Sequence, residues 1–169
     1  QAGDGEYADS ATVGAGLPVL STLRRLRGAG ERLIALEGVF SGSLSWLFNH
    51  YDGARPFSAL LAEARAWGYT EPDPRADLCG ADVARKLLIL ARAAGRALDQ
   101  HEVELENLVP PALRDIDAGA FRARARELDE TFAARLAVAR ANGKVLRHLA
   151  RLDERGRASV GLCEVDAAH

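Results

Sequence analysis

Cysteine and lysine are scarce in this 169-residue chain, with two of each, and methionine is absent. Cys79 and Cys163 show no CxxC spacing, so neither a disulfide scaffold nor a zinc site is encoded, and reduced thiols are expected. The four histidines, His50, His101, His148 and His169, stand far apart without an HxxxH or HExxH pattern, which leaves transition-metal chemistry unsupported. No apolar run nears the roughly 20 residues of a membrane span, and no charged segment leading into an apolar core opens the chain. A cytoplasmic protein with no membrane partner is expected. Twenty-two basic residues against 24 acidic ones leave a net charge of −2. The basic residues are scattered without aromatic interleaving, so no nucleic-acid partner is expected. A GxGxxG fingerprint after a strand is also missing, so a complete Rossmann half is not encoded.

What is present suits one compact domain with a sizeable core: 48% hydrophobic residues against 27% charged. Of the 22 basic residues only Lys86 and Lys144 are lysines. Arginine holds its proton at any working pH whereas lysine can be tuned, so a lysine in an arginine-rich chain draws notice. The plainer reading is an ordinary helix position in a chain whose Arg and Ala bias reflects nucleotide composition.

Residues 1–9 are polar and Gly-rich and read as a flexible lead-in. Leu17, Leu20, Leu23 and Leu26 predict a helix from Leu17 to Arg27, with Pro18 in its first turn and Gly28 and Gly30 as the stop. Residues 32–40 predict a mostly buried strand. Ser41-Gly42-Ser43 then opens a helix whose free N–H groups can hold an anion. Phe57, Leu60, Leu61, Ala64 and Trp67 form a helical stripe stopped by Gly68, and Val83, Leu87, Leu90 and Ala91 form another, stopped by Gly95. Val103–Val109 predicts a strand, Phe121–Ala141 one long helix, and Val145–Leu152 with Ala158–Val165 a hairpin that lacks an obvious cover.

Three stretches could carry chemistry. The turn Gly14-Ala15-Gly16 runs into a helix start, a geometry that favours anions and equally serves chain reversal. The Ser41–Ser43 turn is an anion site or a plain N-cap. Gly68 to Leu90 packs Glu71, Asp73, Asp77 and Asp82 into twelve residues ahead of Lys86. Such a cluster binds a cation or an ammonium, or its members hold each other's partners; Asp82 and Lys86 also have the spacing of an exposed helical ion pair.

"SATVGAGLPV", "EGVFSGSLSWLF", "GYTEPDPRADLCGADVARKLLILAR" and "NGKVLRHLARLD", in this order, closely resemble the homoserine dehydrogenase family from Ser10 onward. The nearer likeness is to the dehydrogenase portion of methionine-associated bifunctional aspartokinase/homoserine dehydrogenases, with a monofunctional parent left open. The resemblance implies an α+β substrate-binding and dimerisation domain over residues 10–169, a mixed sheet with helices on one face, incomplete at its C-terminus. It implies a partner Rossmann domain, NAD or NADP as cofactor, and interconversion of L-aspartate 4-semialdehyde and L-homoserine. It places Lys86 at the reacting oxygen with Asp82 beside it, and Glu71, Tyr69, Asp77, Gly42 and Ser43 around the amino acid. Gly14, Ala15 and Gly16 fall near the nicotinamide.

The family also implies sodium on the carbonyls of Val13, Ala15 and Leu17 plus an acidic side chain. Ser10 stands at that last position, so weak or absent cation binding is expected. Ala76 and Cys79 depart from the commoner "RDDL(S/N)G". A homodimer is expected, with a fused aspartokinase as a further option, and this chain alone is expected to be inactive. The competing reading is a non-catalytic dimerisation or amino-acid-binding module of the same ancestry.

Overall fold

The structure, a computed structural model, describes Asp9 and residues 11–168. The lead-in over residues 1–8 and the Ser10 position therefore lie outside the described residues. Helix α1 spans Val19–Gly28, starting two residues later than the leucine stripe predicts, and buries Leu20 while Leu17 and Leu26 stay exposed. Strand β1 is only Leu36–Gly38. The predicted buried strand over 32–40 is thus corrected to a short edge strand: it has one neighbour, and Ile34 outside the pairing is 73% exposed.

Helices α2 (Gly42–His50) and α3 (Phe57–Ala66) follow. Trp67 does not continue the buried stripe of α3; it caps the helix at 58% exposure, and Gly68 makes the stop at φ +74°. The acidic segment folds into the short helix α4 (Arg75–Leu78), and Gly80, at φ +71°, turns the chain into α5 (Ala81–Ala93). Only glycine takes that left-handed conformation without strain. Val83, Leu87, Leu90 and Ala91 are buried as their spacing predicts.

Strand β2 is Val103–Leu105, shorter than the predicted 103–109. Glu106 still gives its N–H to the Val160 carbonyl, at 2.8 Å, but Leu108 turns to Leu78 instead, at 3.0 Å. The Glu106 carboxylate takes the Leu162 N–H at 2.8 Å and pairs with Arg135, whose guanidinium donates to the Leu162 carbonyl at 2.6 Å. Two side chains thereby occupy the sheet edge where more strand was expected. The short helices α6 (Pro111–Arg114) and α7 (Ala118–Arg124) lead to α8 (Asp129–Ala141). The predicted single helix over 121–141 is broken by a tighter turn at Ala125–Leu128. Beyond the break, Asp129 accepts the backbone N–H and hydroxyl of Ser58, at 2.7 and 2.9 Å.

Strands β3 (Lys144–Leu152) and β4 (Ala158–Asp166) form the expected antiparallel hairpin. The mixed sheet runs β1-β3-β4-β2, with only the β2–β4 pair parallel. Leu146, Ala150, Leu152, Val160 and Leu162 join α2, α3, α5 and α8 in one core. The hairpin therefore does have cover: of its apolar positions, Leu149, Val160 and Leu162 are buried within this chain and Val145 is half-buried. The fold class is α+β, as expected.

Candidate active site

Lys86 lies one helical turn after Asp82 on α5, its side chain 28% exposed. Its ammonium stands 2.8 Å from the Asp82 carboxylate and donates to the Phe40 carbonyl at 2.9 Å. Lys86 thus ties α5 to the link between β1 and α2, a role a surface ion pair does not have. Burial pushes the Asp82 carboxyl up, but the hydrogen bond and charge of Lys86, aided by Arg85, hold it below the ordinary range.

Immediately after Phe40, the Ser41 side chain caps α2 by accepting the Leu44 N–H at 3.3 Å, and the Ser41 and Ser43 hydroxyls meet at 2.9 Å. The anion-site and N-cap readings of this turn coexist, since the first-turn N–H groups of Gly42 and Ser43 have no intrahelical acceptor. No atom lies within 4 Å of where a Gly42 side chain would begin, so the turn is open to a ligand.

The acidic cluster divides cleanly by partner. Asp73 binds Arg75 at 2.6 Å, and that hydrogen bond, opposed by burial, holds its carboxyl low. Arg75 also donates to the carbonyls of Leu113, Arg114 and Ile116 and lies over the Phe121 ring at 5.2 Å, so "DPR" is a staple. Asp77 accepts the Ser43 hydroxyl at 2.6 Å with one oxygen and the Glu71 N–H at 2.9 Å with the other. Asp82 serves Lys86. The Glu71 carboxylate is exposed and has no hydrogen-bond or ion-pair partner among the described residues. Tyr69, half exposed, packs its ring against Trp46 at 5.4 Å and Trp67 at 5.7 Å.

Gly14 (φ +86°) and Ala15 (φ +50°) form a left-handed turn closed by the Leu17 N–H on the Gly14 carbonyl at 2.9 Å. The turn is exposed, and open space surrounds Gly16. Val13 beneath it is buried with Leu20 and Leu90, and Phe40 packs on the same cluster. The turn thus rests on the residue whose carbonyl holds Lys86. For sodium the described residues fit poorly. The Leu17 carbonyl already accepts the Val19 N–H at 2.8 Å, and Asp9, the acid nearest in sequence, is paired with Arg24.

Missed by the sequence reading were the Phe40 carbonyl, which carries no residue-type signal, and the use of Asp77 as a brace rather than a free ligand. Trp46 was legible as an aromatic on the helix opened by Ser41.

Fold and site together define a small α+β domain that presents the Lys86 ammonium, the unpartnered Glu71 carboxylate and an open helix start. A family model described as homoserine dehydrogenase matches residues 18–169. Bifunctional aspartokinase/homoserine dehydrogenase 2 of Escherichia coli is 46% identical over 160 residues, covering 95% of this chain and 20% of its own length. Homoserine dehydrogenase of Paracoccidioides brasiliensis is 45% identical over 166 residues, 92% of this chain and 45% of that protein. A putative homoserine dehydrogenase from Archaeoglobus fulgidus superposes with a TM-score of 0.70 at 26% identity, over 95% of this chain and 43% of its own. The chain belongs to the homoserine dehydrogenase family, and it spans less than half the length of these relatives.

Proposed function

We propose that the protein carrying this chain is an NAD(P)-dependent homoserine dehydrogenase and that residues 10–169 form its substrate-binding unit. The observation that carries the reading is Lys86, fixed by Asp82 and the Phe40 carbonyl in a site whose Glu71 carboxylate is uncommitted. Glu71 takes the α-ammonium of the amino acid, and the N–H groups of Gly42 and Ser43 approach its polar atoms. Lys86 spends two of its three donors on Asp82 and Phe40, leaving one for the substrate oxygen. In the reducing direction the carbonyl carbon gains a hydride and its oxygen gains a proton from Lys86; in the oxidising direction Lys86 takes that proton back. The exposed Gly14-Ala15-Gly16 turn would hold the reactive end of a nicotinamide, whose chemistry when bound would be to give or take the hydride.

A homodimer and a kinase fused in the same chain belong to the proposal. The bifunctional aspartokinase/homoserine dehydrogenase of Escherichia coli supports the fusion. The dimer draws no support from the terminal hairpin, which is covered; exposed Ile34 and Val39 around β1 are the better candidates for a mate.

The test is Lys86→Arg in the full-length protein. Arginine keeps the charge but is a poor proton donor with a different donor geometry, so kcat falls by roughly 10²–10⁴ with an unchanged melting curve. Near-normal kcat returns Lys86 to the scaffold, and a parent without any turnover leaves the non-catalytic module as the reading.

A further inference from the structure

The carbonyl that holds Lys86 belongs to a residue whose own position depends on a missing side chain. Gly38 is the last residue of β1, paired with Ala150 of β3. Its φ is outside the left-handed region, so the backbone there does not call for glycine. Space does. A Cβ on Gly38 would stand 2.7 Å from Cε1 of Phe40, 3.1 Å from Cζ and 3.6 Å from Cδ1. The Phe40 ring folds back toward β1 and fills the place a side chain would take. It packs there against both hydrophobic clusters, the large one under the sheet and the small one of Val13, Leu20 and Leu90. The ring is only partly buried, so its contacts with the two clusters oppose a swing away from an added methyl, and part of the clash falls on the backbone.

We propose that Gly38 is a positioning residue for the lysine: the absence of a side chain at 38 leaves room for the Phe40 ring, so that no clash pushes the backbone away from where the Phe40 carbonyl receives the Lys86 ammonium at 2.9 Å. Gly38 touches no reacting atom. A methyl at 38 displaces either the ring or the backbone between β1 and α2, and both movements shift the acceptor. Lys86 then keeps Asp82 but loses its second anchor, and its free donor no longer points where it did. The same displacement disturbs the bed of the Gly14-Ala15-Gly16 turn, since Phe40 packs on that cluster too. The catalytic consequence rests on the dehydrogenase reading; the coupling of Gly38 to Lys86 does not.

The two can be tested apart through the lysine signals, since residues 1–169 hold only Lys86 and Lys144. In a full-length protein labelled at lysine Cε, the NMR signals of these two are identified by their loss in Lys86→Arg and in Lys144→Arg, and Lys144 serves as the internal control. Gly38→Ala shifts the Lys86 signal and leaves Lys144 in place. It also lowers kcat by roughly tenfold while KM for homoserine changes far less, the pattern of a misplaced reacting group. Phe40→Leu alone, which removes the ring edge and keeps the carbonyl, leaves the Lys86 signal near the parent's. Adding Phe40→Leu to Gly38→Ala returns both signal and kcat toward the parent. An unmoved Lys86 signal in Gly38→Ala overturns the proposal, and so does a shift that survives in the double variant. Should Gly38→Ala not fold, the double variant decides: folded with a parent-like Lys86 signal it supports the ring clash, unfolded it refutes it. A parent protein without turnover sinks the dehydrogenase reading and leaves the NMR arm in force.

Discussion

Asp77 has no oxygen to spare, and that makes it the most informative single carboxylate. One oxygen receives the Ser43 hydroxyl and the other the Glu71 N–H, so it joins the helix start to the turn that presents the uncommitted acid. Asparagine has one acceptor where aspartate has two, so Asp77→Asn turns an NH₂ toward one of these two donors. The expected cost is about 1–3 kcal/mol of stability for a donor left unmatched. In the full-length protein KM for homoserine should rise more than kcat falls, because Glu71 is misplaced while Lys86 is not. Urea unfolding and steady-state kinetics on one preparation check both, and a larger loss in kcat than in binding would move Asp77 to the chemistry. At this scale the sequence showed the cluster but not its division. Gathering four acids beside a lysine is visible in twelve residues, whereas the partners that commit Asp77 and Lys86 lie 34 and 46 positions away, one a hydroxyl and one a backbone carbonyl.

Helices were more legible than strands, for a physical reason. A helical stripe is repeated over several turns of one segment, so the buried positions of α3 and α5 follow from local spacing alone. The lengths of β1 and β2 depend on what pairs with them: three residues of each find a partner, and Glu106 with Arg135 closes the rest of the β4 edge at Leu162. The break before α8 was invisible because Phe121, Leu128 and Phe132 keep one apolar stripe through it, and all three are buried. Phe132 is the anchor of this region, stacked on Phe57 with ring centroids 3.8 Å apart and near Phe48 and Tyr51 as well. Phe132→Ala should cost about 3–5 kcal/mol, the range for deleting a buried aromatic. Val138 on the same helix is 54% exposed, and Val138→Ala should stay within about 0.5 kcal/mol. Urea midpoints at fixed m-value give the comparison; a Phe132→Ala loss under about 1 kcal/mol would show that α8 does not hold the core as its burial indicates.

Across the whole molecule, the joint between sheet and helices contains one group that titrates against the fold. His148 of β3 is 2% exposed, and neither of its ring nitrogens has a hydrogen-bond partner among the described residues. Its Nε2 lies 3.5 Å from where a Gly80 side chain would begin, so the ring sits against the turn that starts α5. Burial pushes its pKa down to about 4; the Glu106 carboxylate pulls upward and the Arg135 guanidinium adds to the lowering. The unfolded chain therefore binds this proton near pH 6.5 and the folded protein only near pH 4. Between those values the unfolded state carries more protons, so stability rises with pH through the window and is lost as pH falls through it. A depression of this size corresponds to about 3 kcal/mol, fully present above roughly pH 6.5 and gone below about pH 4. His148→Leu removes the titrating group without leaving a polar atom unpaired, so at pH 7 the variant should match the parent or exceed it. Its stability should then decline less steeply between pH 6.5 and 4, while the acid sensitivity of the carboxylates, common to both proteins, cancels in the comparison. Urea unfolding at pH 7, 5.5 and 4.5 measures the difference. Equal slopes for parent and variant would mean that His148 is protonated in the folded protein as readily as in the unfolded chain, and that the packing around Gly80 opens to admit the charge.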